Sequence, residues 1–586
     1  MNNWNIAQTS QRFVSRRILF RFLAVITGIL ALIYIYWRCT ASVNTKALWF
    51  SIPLLAAELY GIVDLVFFSM MIWKPVKRVP PLPEGEPTVD VFITTYNEGR
   101  EILEPTARAA MDIRWANKTV YILDDGNRGD ISALAEETGC RYLTRGAEWA
   151  GKPRHAKAGN VNNALMQTAG EYILILDTDQ IPDPEILNRT IGYFNDPEVA
   201  LVQTPQYFYN IPPGDPFGVD APLFYGPIMQ GKDGWNAAFF CGSNGILRRE
   251  ALMQAGLVRY VEATGMRLRA NLKSLLRRLD KDRFLPLRAQ IKEALHKLSK
   301  GEAFETVCDD IRSALGETVG LPDDMKEDLN ITLREEAIPV QALSTLSITE
   351  DMASALYLHS RGWKSVYHPE ILAQGLSPED LGTMLTQRLR WAQGTIQVLR
   401  RENPLTLKGL TIPQRLMYFA SIYSYFSGFF TVIILSAPVI YLFTNIAPVA
   451  AWSFDFFIRF IPFFVANKIM FRVVNRGIPL WRGEQYSVAL FPVWIRAVVS
   501  VYANTKITFK VTPKQRQSGN FLPLVWPQML FIAATGAGIV YQAIRLSLGA
   551  PLSITGFTIN SIWGIYNILS LSVIVRAALY TGGAKK

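Results

Sequence analysis

The segment 173–182 reads ILILDTDQIP: four aliphatic residues, then Asp177 and Asp179 one residue apart. A strand that looks buried and stops on two carboxylates has the form of a ligand-binding edge, because open α/β sheets hold ligands beyond the carboxyl ends of their strands. If the chain is still extended there, positions i and i+2 send both side chains out of one face. Two hard oxygen ligands on one face suit Mg²⁺ or Mn²⁺, which keeps waters and borrows oxygens from a diphosphate. Such an ion neutralises a departing diphosphate. A second strand, YILDDG, ends the same way at Asp124 and Asp125. One acidic strand tip is an ordinary solvated turn; two side by side argue for a site.

Three further stretches carry chemistry. RHAKAGNVNNAL (154–165) sets Lys157 at the start of a helix, where a cation and the positive helix end favour phosphate. Alone, it also reads as a surface lysine. SITEDMASALYLHSRG (347–362) gives Thr349 the N-cap, Glu350 and Asp351 the first turn, and Gly362 the stop. Acidic decoration of a helix start explains that pattern. The alternative makes Asp351 a general base for an acceptor hydroxyl, kept ionised by the helix dipole. In LSPEDLGTMLTQRLRWAQGTIQVL (376–399), Ser377 caps, Pro378 takes the first helical position and Asp380 the capping-box position. Gln387, Arg390 and Trp391 then share one helix face. A core stripe would not use Gln and Arg, and a solvated face would rarely add Trp. Together they offer phosphate donors beside a flat ring suited to a sugar.

The elements that position these residues are legible in outline. Short β-type runs (VDVFITTY, TVYILDDG, RYLTR, YILILDTD, ALVQTPQY) alternate with helical stretches between 88 and about 400, the pattern of a mostly parallel sheet flanked by helices. Around them lie apolar runs of bilayer length. Two precede the sheet, at 18–37 and 47–73. Four follow it, at 418–445, 449–470, 523–546 and 553–577. No small-residue cleavage site follows the first run, so it reads as a span rather than a signal peptide. Basic residues before the first span and after the second put both flanks in the cytoplasm. Residues 484–502 read as an interfacial helix. The expected organisation is a membrane region over 1–79, an α/β domain over 80–405 with a helical insertion at 257–345, and a second membrane region over 406–586.

Composition agrees. The chain has 586 residues, of which half are apolar and 19% charged; its mean hydropathy is +0.15. That is too apolar for an ordinary soluble protein and too charged for a pure membrane bundle. Its net charge of +11 is explained by basic cytoplasmic loops and by an anionic substrate, and no nucleic-acid motif is present. The four cysteines, Cys39, Cys140, Cys241 and Cys308, form no CxxC pair, which argues against a zinc site or a disulfide framework.

These residues resemble the processive family-two glycosyltransferases, most closely the bacterial cellulose synthase type. The motifs are DDG (124–126), HAKAGN (155–160), DTD (177–179), FFCGS (239–243), TED (349–351), QRLRW (387–391) and FKVTPK (509–514). The resemblance implies a GT-A domain inserted between about six transmembrane helices, in an enzyme of a bacterial inner membrane with its catalytic domain cytoplasmic. The reaction implied is inverting polymerisation of glucose from UDP-glucose into a β-glucan, a cellulose-like 1,4-glucan first of all, exported through a channel between the spans. It implies Asp351 as base and Asp177 and Asp179 as ligands of Mg²⁺ or Mn²⁺. Donor and acceptor contacts would come from Thr95, Tyr96, Glu98, Asp124, Lys157, Glu350, Gln387 and Arg390. Trp391, near Cys241, would floor the acceptor site. Phe509, Val511, Thr512 and Lys514 would form a gating loop.

Departures from the pattern carry expectations of their own. Gln180 follows the DTD acids where cellulose synthases often have His, and Leu389 stands where they usually have Gly. The second change favours a 1,3- or mixed-linkage product as the alternative; a hyaluronan- or chitin-type synthase differs only in donor. A nucleotide-sensing receptor or transporter would need no base. No PilZ-type domain follows the last span, so regulation by cyclic diguanylate through this chain is not expected. The charged insertion reads as a solvated helical bundle, or as a surface for self-assembly or for a periplasmic or other accessory partner.

Overall fold

A computed structural model describes residues 16–280, 282–318, 337–345, 347–450, 453–475, 478, 480–505 and 516–581. The expected gating loop at 509–514 lies outside them.

Ten strands are described: β1 (Val89–Thr95), β2 (Lys118–Asp124), β3 (Arg141–Leu143), β4 (Tyr172–Asp177), β5 (Ile181–Pro182), β6 (Val199–Gln203), β7 (Tyr207–Phe208), β8 (Gly245–Arg248), β9 (Lys364–Tyr367) and β10 (Ala373–Gly375). Seven form one sheet in the order β3-β2-β1-β4-β8-β6-β9, and β5-β10-β7 form a smaller one. Only β8 runs antiparallel to its neighbours in the large sheet. β1 is buried along its whole length, as a strand covered on both faces must be, so it reads as a near-continuous apolar run. Its one acid, Asp90, is neutralised by Arg249 at 2.7 Å. Helices pack on both faces around two apolar cores, one centred on Phe92, Ile173 and Leu247, the other on Ile93, Leu174 and Ile246. This is the mostly parallel α/β domain expected.

The charged insertion is helical. Arg249–Arg278, Leu285–Lys300 and Phe304–Glu317 close a core of their own around Leu272, Ile291 and Ile311.

Among the described residues, five stretches are long and apolar enough to cross a membrane: Arg17–Ala41, Thr45–Met71, Ile412–Thr444, Leu522–Ser547 and Ile554–Ala578. The sixth expected span, 449–470, corresponds to helix Ser453–Val474, which has the length but not the composition. It carries Asp455, Arg459, Lys468 and Arg472. Three of these find partners: Arg459 pairs with Asp455 at 3.2 Å and Lys468 with Glu484. The helix runs beside Arg17–Ala41, where Phe463 stacks on Tyr34 at 5.9 Å. The segment expected as one interfacial helix is two, Leu480–Ala489 and Phe491–Tyr502, with Pro492 in the first turn of the second.

The α/β domain is bolted to these helices. Buried Lys232 donates to Met417 O at 2.7 Å and Ser421 Oγ at 2.6 Å. Helix Leu381–Arg401 lies on Phe491–Tyr502, with Ala392 and Ile396 against Ala497, Val498 and Val501. Gln393 reaches Ser500 Oγ at 2.7 Å.

Candidate active site

Sheet register sets the site. Thr95 of β1 pairs with Asp124 of β2, and Thr94 with Asp177 of β4, so three strands end level. The strand order turns back at β1, the point where open sheets hold ligands.

β4 stops on Asp177, and the next residues turn: Gln180 N–H bonds back to Asp177 O at 3.1 Å. A turn has no two-residue alternation, so the expected common face for the two acids is not found. Asp177 stays partly open, whereas Asp179 is 2% exposed and accepts the Leu376 N–H at 2.8 Å. Gln180 is committed elsewhere, its Oε1 accepting from Asn244 Nδ2 at 2.9 Å.

Lys157, in helix Ala156–Leu165, donates to Asp177 Oδ1 and to Gly242 O at 2.6 Å. The lysine thus joins the end of β4 to the FFCGS segment. Gly242 has φ 90°, and a Cβ built on it would stand 3.2 Å from Asp351 Oδ2. From Asp177 through Lys157 and Gly242 to Asp351, the wall of one cleft is continuous.

Asp351 lies in the first turn of helix Glu350–Ser360. The dipole does not decide its charge. Burial, with the Glu350 carboxylate second, pushes Asp351 up to about 7, while the Met352 N–H at 2.7 Å and Lys157 pull the other way. Glu350 is raised as well, chiefly by burial. Across the cleft the Arg390 guanidinium, lowered by burial, feels the opposing pull of Glu350, Asp177 and Asp351. Thr349 occupies the N-cap without making a side-chain capping bond; it sits against Gly394, where a Cβ would come within 2.4 Å of its methyl. The far end of this helix is pinned to the membrane region. His359 Nδ1 bonds Tyr418 Oη at 2.7 Å and Nε2 bonds Ser365 Oγ at 2.9 Å, and burial holds the ring neutral with its pKa down to about 3.

The next helix starts later than its sequence suggests. Asp380, not Ser377, is the N-cap of Leu381–Arg401, accepting from Thr383 N at 2.8 Å. Ser377 is spent on Asn210 Oδ1, at 2.7 Å through its N–H and 2.9 Å through its hydroxyl. Gln387, Arg390 and Trp391 share this helix. Trp391, expected near Cys241, has its ring contact with Arg388 at 5.1 Å. Cys241 donates its N–H to Gln203 Oε1 at 2.8 Å, and its thiol, pushed up by burial, lies close enough to Asp351 to feel its charge. Leu389 points away from the cleft, into the cluster formed with Phe491–Tyr502.

The residues expected to meet a nucleotide form a rim of mutual hydrogen bonds. Glu98 accepts from Thr95 Oγ1 at 3.0 Å and Tyr96 N at 2.8 Å; the Tyr96 side chain is exposed. Asp124 is fully buried and accepts from Gly126 N at 3.0 Å, Arg128 N at 2.7 Å and Tyr142 Oη at 2.9 Å. Its expected direct contact with a nucleotide would require exchanging these bonds, and here Asp124 organises the rim. Arg128 ties that rim together and was not singled out from the sequence. Nor was Arg388, buried and donating to Gly218 O at 2.9 Å. A lone arginine in a loop or helix carries no signal that its partners are distant in sequence.

Comparison with known proteins matches two parts of the chain. Residues 90–256 match the model of "Glycosyl transferase family 2" and residues 344–546 that of "Cellulose synthase". The chain is 31% identical to the cellulose synthase 1 catalytic subunit (UDP-forming) of Komagataeibacter xylinus over 96% of its own length and 66% of that protein's. It is 29% identical to the cellulose synthase catalytic subunit (UDP-forming) of Pseudomonas fluorescens SBW25, over 97% and 68%. It therefore spans about two thirds of these relatives. Among solved structures, a mannosyltransferase from Pyrobaculum calidifontis, in complex with GDP-Man and Mn²⁺, aligns with 78% of the chain and 100% of its own at 13% identity and a TM-score of 0.45. The chain belongs to the family-two glycosyltransferases, among the cellulose synthases and their relatives.

Proposed function

We propose that the protein is a processive inverting glycosyltransferase that builds a β-glucan from UDP-glucose and passes it across the bacterial inner membrane, with the α/β domain on the cytoplasmic side. The observation that carries this reading is the placement of Asp351, with a pKa near 7, in one cleft with Lys157, Asp177 and Arg390. A base is most effective when its pKa lies near the working pH.

In the reaction, Asp351 removes the proton from the chain-end hydroxyl as that oxygen attacks the anomeric carbon. The bond from this carbon to the diphosphate oxygen breaks, UDP departs with the electron pair, and one displacement turns an α-linked donor into a β-linked product. Lys157 and Arg390 are the cations of this cleft that can hold diphosphate oxygens. Asp177 and Asp179 would hold a divalent cation. Asp177, partly open, offers an oxygen to an ion that draws its remaining ligands from diphosphate and water, and Asp179 would join it by exchanging its Leu376 N–H bond. When bound, that ion supplies further neutralisation of the leaving group.

The seating of the cleft on the membrane helices, through Lys232, His359 and Gln393, supports direct delivery of product into the membrane region. The test uses purified protein with radiolabelled UDP-glucose or UDP-N-acetylglucosamine, followed by linkage-specific glucanases. Incorporation from UDP-glucose into a product cut by a 1,4-glucanase is expected. A product resistant to it but cut by a 1,3- or mixed-linkage enzyme reassigns the linkage, incorporation from the second donor reassigns the sugar, and absence of UDP release overturns the enzymatic reading.

Gly242 gives a local check. Gly242→Ala places a Cβ both at a left-handed φ and against the base, at a cost of about 1–2 kcal/mol. Turnover should fall well beyond any loss of UDP affinity, measured by calorimetry, because the methyl displaces Asp351 rather than the nucleotide rim.

A further inference from the structure

Away from this cleft, the fold encloses a second chamber of about 1740 Å³ whose walls include none of Asp177, Asp351 or Arg390. Its upper wall is the sides of helices Leu48–Met71 and Ser453–Val474; its lower wall is the loop 207–223 and the segment 370–374 of the α/β domain; helix Leu480–Ala489 closes one flank. Asp64 lies seven residues before the end of its helix and Asn467 seven before the end of its own. At 1.5 Å per residue, both sit about 10 Å inside the helix ends that face the domain.

The lining is mixed in a particular way. Several of its charges are settled: Lys468 pairs with Glu484, Glu370 with Arg189, and Asp215 takes the N–H groups of Val219 at 3.0 Å and Asp220 at 3.1 Å. Three groups are not. Asp64, in a segment apolar enough to cross a membrane, has no hydrogen bond or ion pair among the described residues. Asp220 takes only a backbone N–H from Ala221. Among the described residues, Arg482 Nε is buried without a hydrogen-bond partner, and so is Asn467 Oδ1 in the same lining. Half-buried charges with few partners favour a ligand of opposite charge, so the chamber is complementary to a ligand carrying one cation and one anion. Apolar rings, Phe68 and Phe471 among them, lie next to these groups.

We propose that this chamber binds the headgroup of a zwitterionic phospholipid of the ethanolamine class. The ammonium N–H donors sit between the carboxylates of Asp64 and Asp220, the phosphate meets Arg482, and the first methylenes of the acyl chains lie on the rings. Ethanolamine fits where choline does not, because a trimethylated nitrogen has no hydrogen to give two carboxylates. An anionic headgroup meets the excess of acids. The site is independent of which polymer the enzyme makes.

The experiment uses the full chain, equilibrated in mixed micelles holding equal amounts of phosphatidylethanolamine, phosphatidylcholine and phosphatidylglycerol of matched acyl chains, then repurified and its retained lipid quantified by mass spectrometry. About tenfold preferential retention of phosphatidylethanolamine is expected, the worth of a charge-assisted hydrogen bond. Asp64→Asn with Asp220→Asn should erase the preference over phosphatidylcholine, while Arg482→Gln should lower retention of both. Equal retention of the three lipids by the unmodified protein overturns the proposal without recourse to any variant. So does a preference for phosphatidylglycerol, a double variant that keeps the ethanolamine preference, or displacement of the lipid by a neutral oligosaccharide such as cellotetraose, which would make the chamber a sugar site.

Discussion

Asp351→Asn abolishes polymer formation while leaving UDP binding in place. The amide keeps the size of the side chain and its Met352 N–H bond but cannot accept the hydroxyl proton, and loss of a general base costs about 10²–10⁴ in rate. Polymer yield from UDP-glucose and calorimetric UDP affinity separate the two effects; a variant that still polymerises at a tenth of the normal rate would remove Asp351 from the reaction. The pH profile is a second handle. Only the ionised carboxylate works as a base, so kcat/KM should rise with pH through an apparent pKa near 7 and be lost below it. That limb sits far above an ordinary aspartate because burial and Glu350 both disfavour the charged form.

Lys157→Gln should act twice. It removes a cation from the leaving-group side of the cleft, where loss of a preorganised donor costs about 10²–10³ in kcat. It also removes one of the interactions that hold the Asp351 pKa down, so the acid limb should move to higher pH. A lysine that merely props Asp177 and Gly242 in place would lower the rate without moving the limb. The paired measurement, maximal rate and position of the limb, therefore distinguishes an electrostatic role from a scaffolding one. Arg390→Gln is the comparison: Arg390 and Asp351 also attract one another, but Lys157 is among the leading influences on Asp351 and Arg390 is not, so its loss should cut the rate with a smaller displacement of the limb.

Much of this protein could be read along the chain. Strand periodicity and length gave β1, β2, β4 and β6 and their parallel sense, since a strand buried on both faces has little choice of composition. Apolar length gave the five stretches that, among the described residues, are long and apolar enough to cross a membrane. Ser453–Val474 has the length but is less apolar over its window, because it carries Arg459 and Lys468, both paired with carboxylates. The motif residues around Asp177, Asp351 and Arg390 were legible through local chemistry, the order of acids, caps and cations.

What the sequence by itself determined is the set of functional groups and the elements that carry them, because composition, periodicity and capping act over a few residues. Tertiary structure alone decided their state. Asp179 turned inward because the Leu376 N–H lies under β4, nearly two hundred residues further along the chain. Helix Leu381–Arg401 began at Asp380 because Asn210 had claimed Ser377. The Asp351 carboxyl was pushed up to about 7 because folding buries it beside Glu350, which outweighs the helix dipole. The charges facing the second chamber were likewise left unmatched by contacts between distant segments. Burial and long-range pairing depend on which surfaces meet, and that is fixed only once the whole chain has packed.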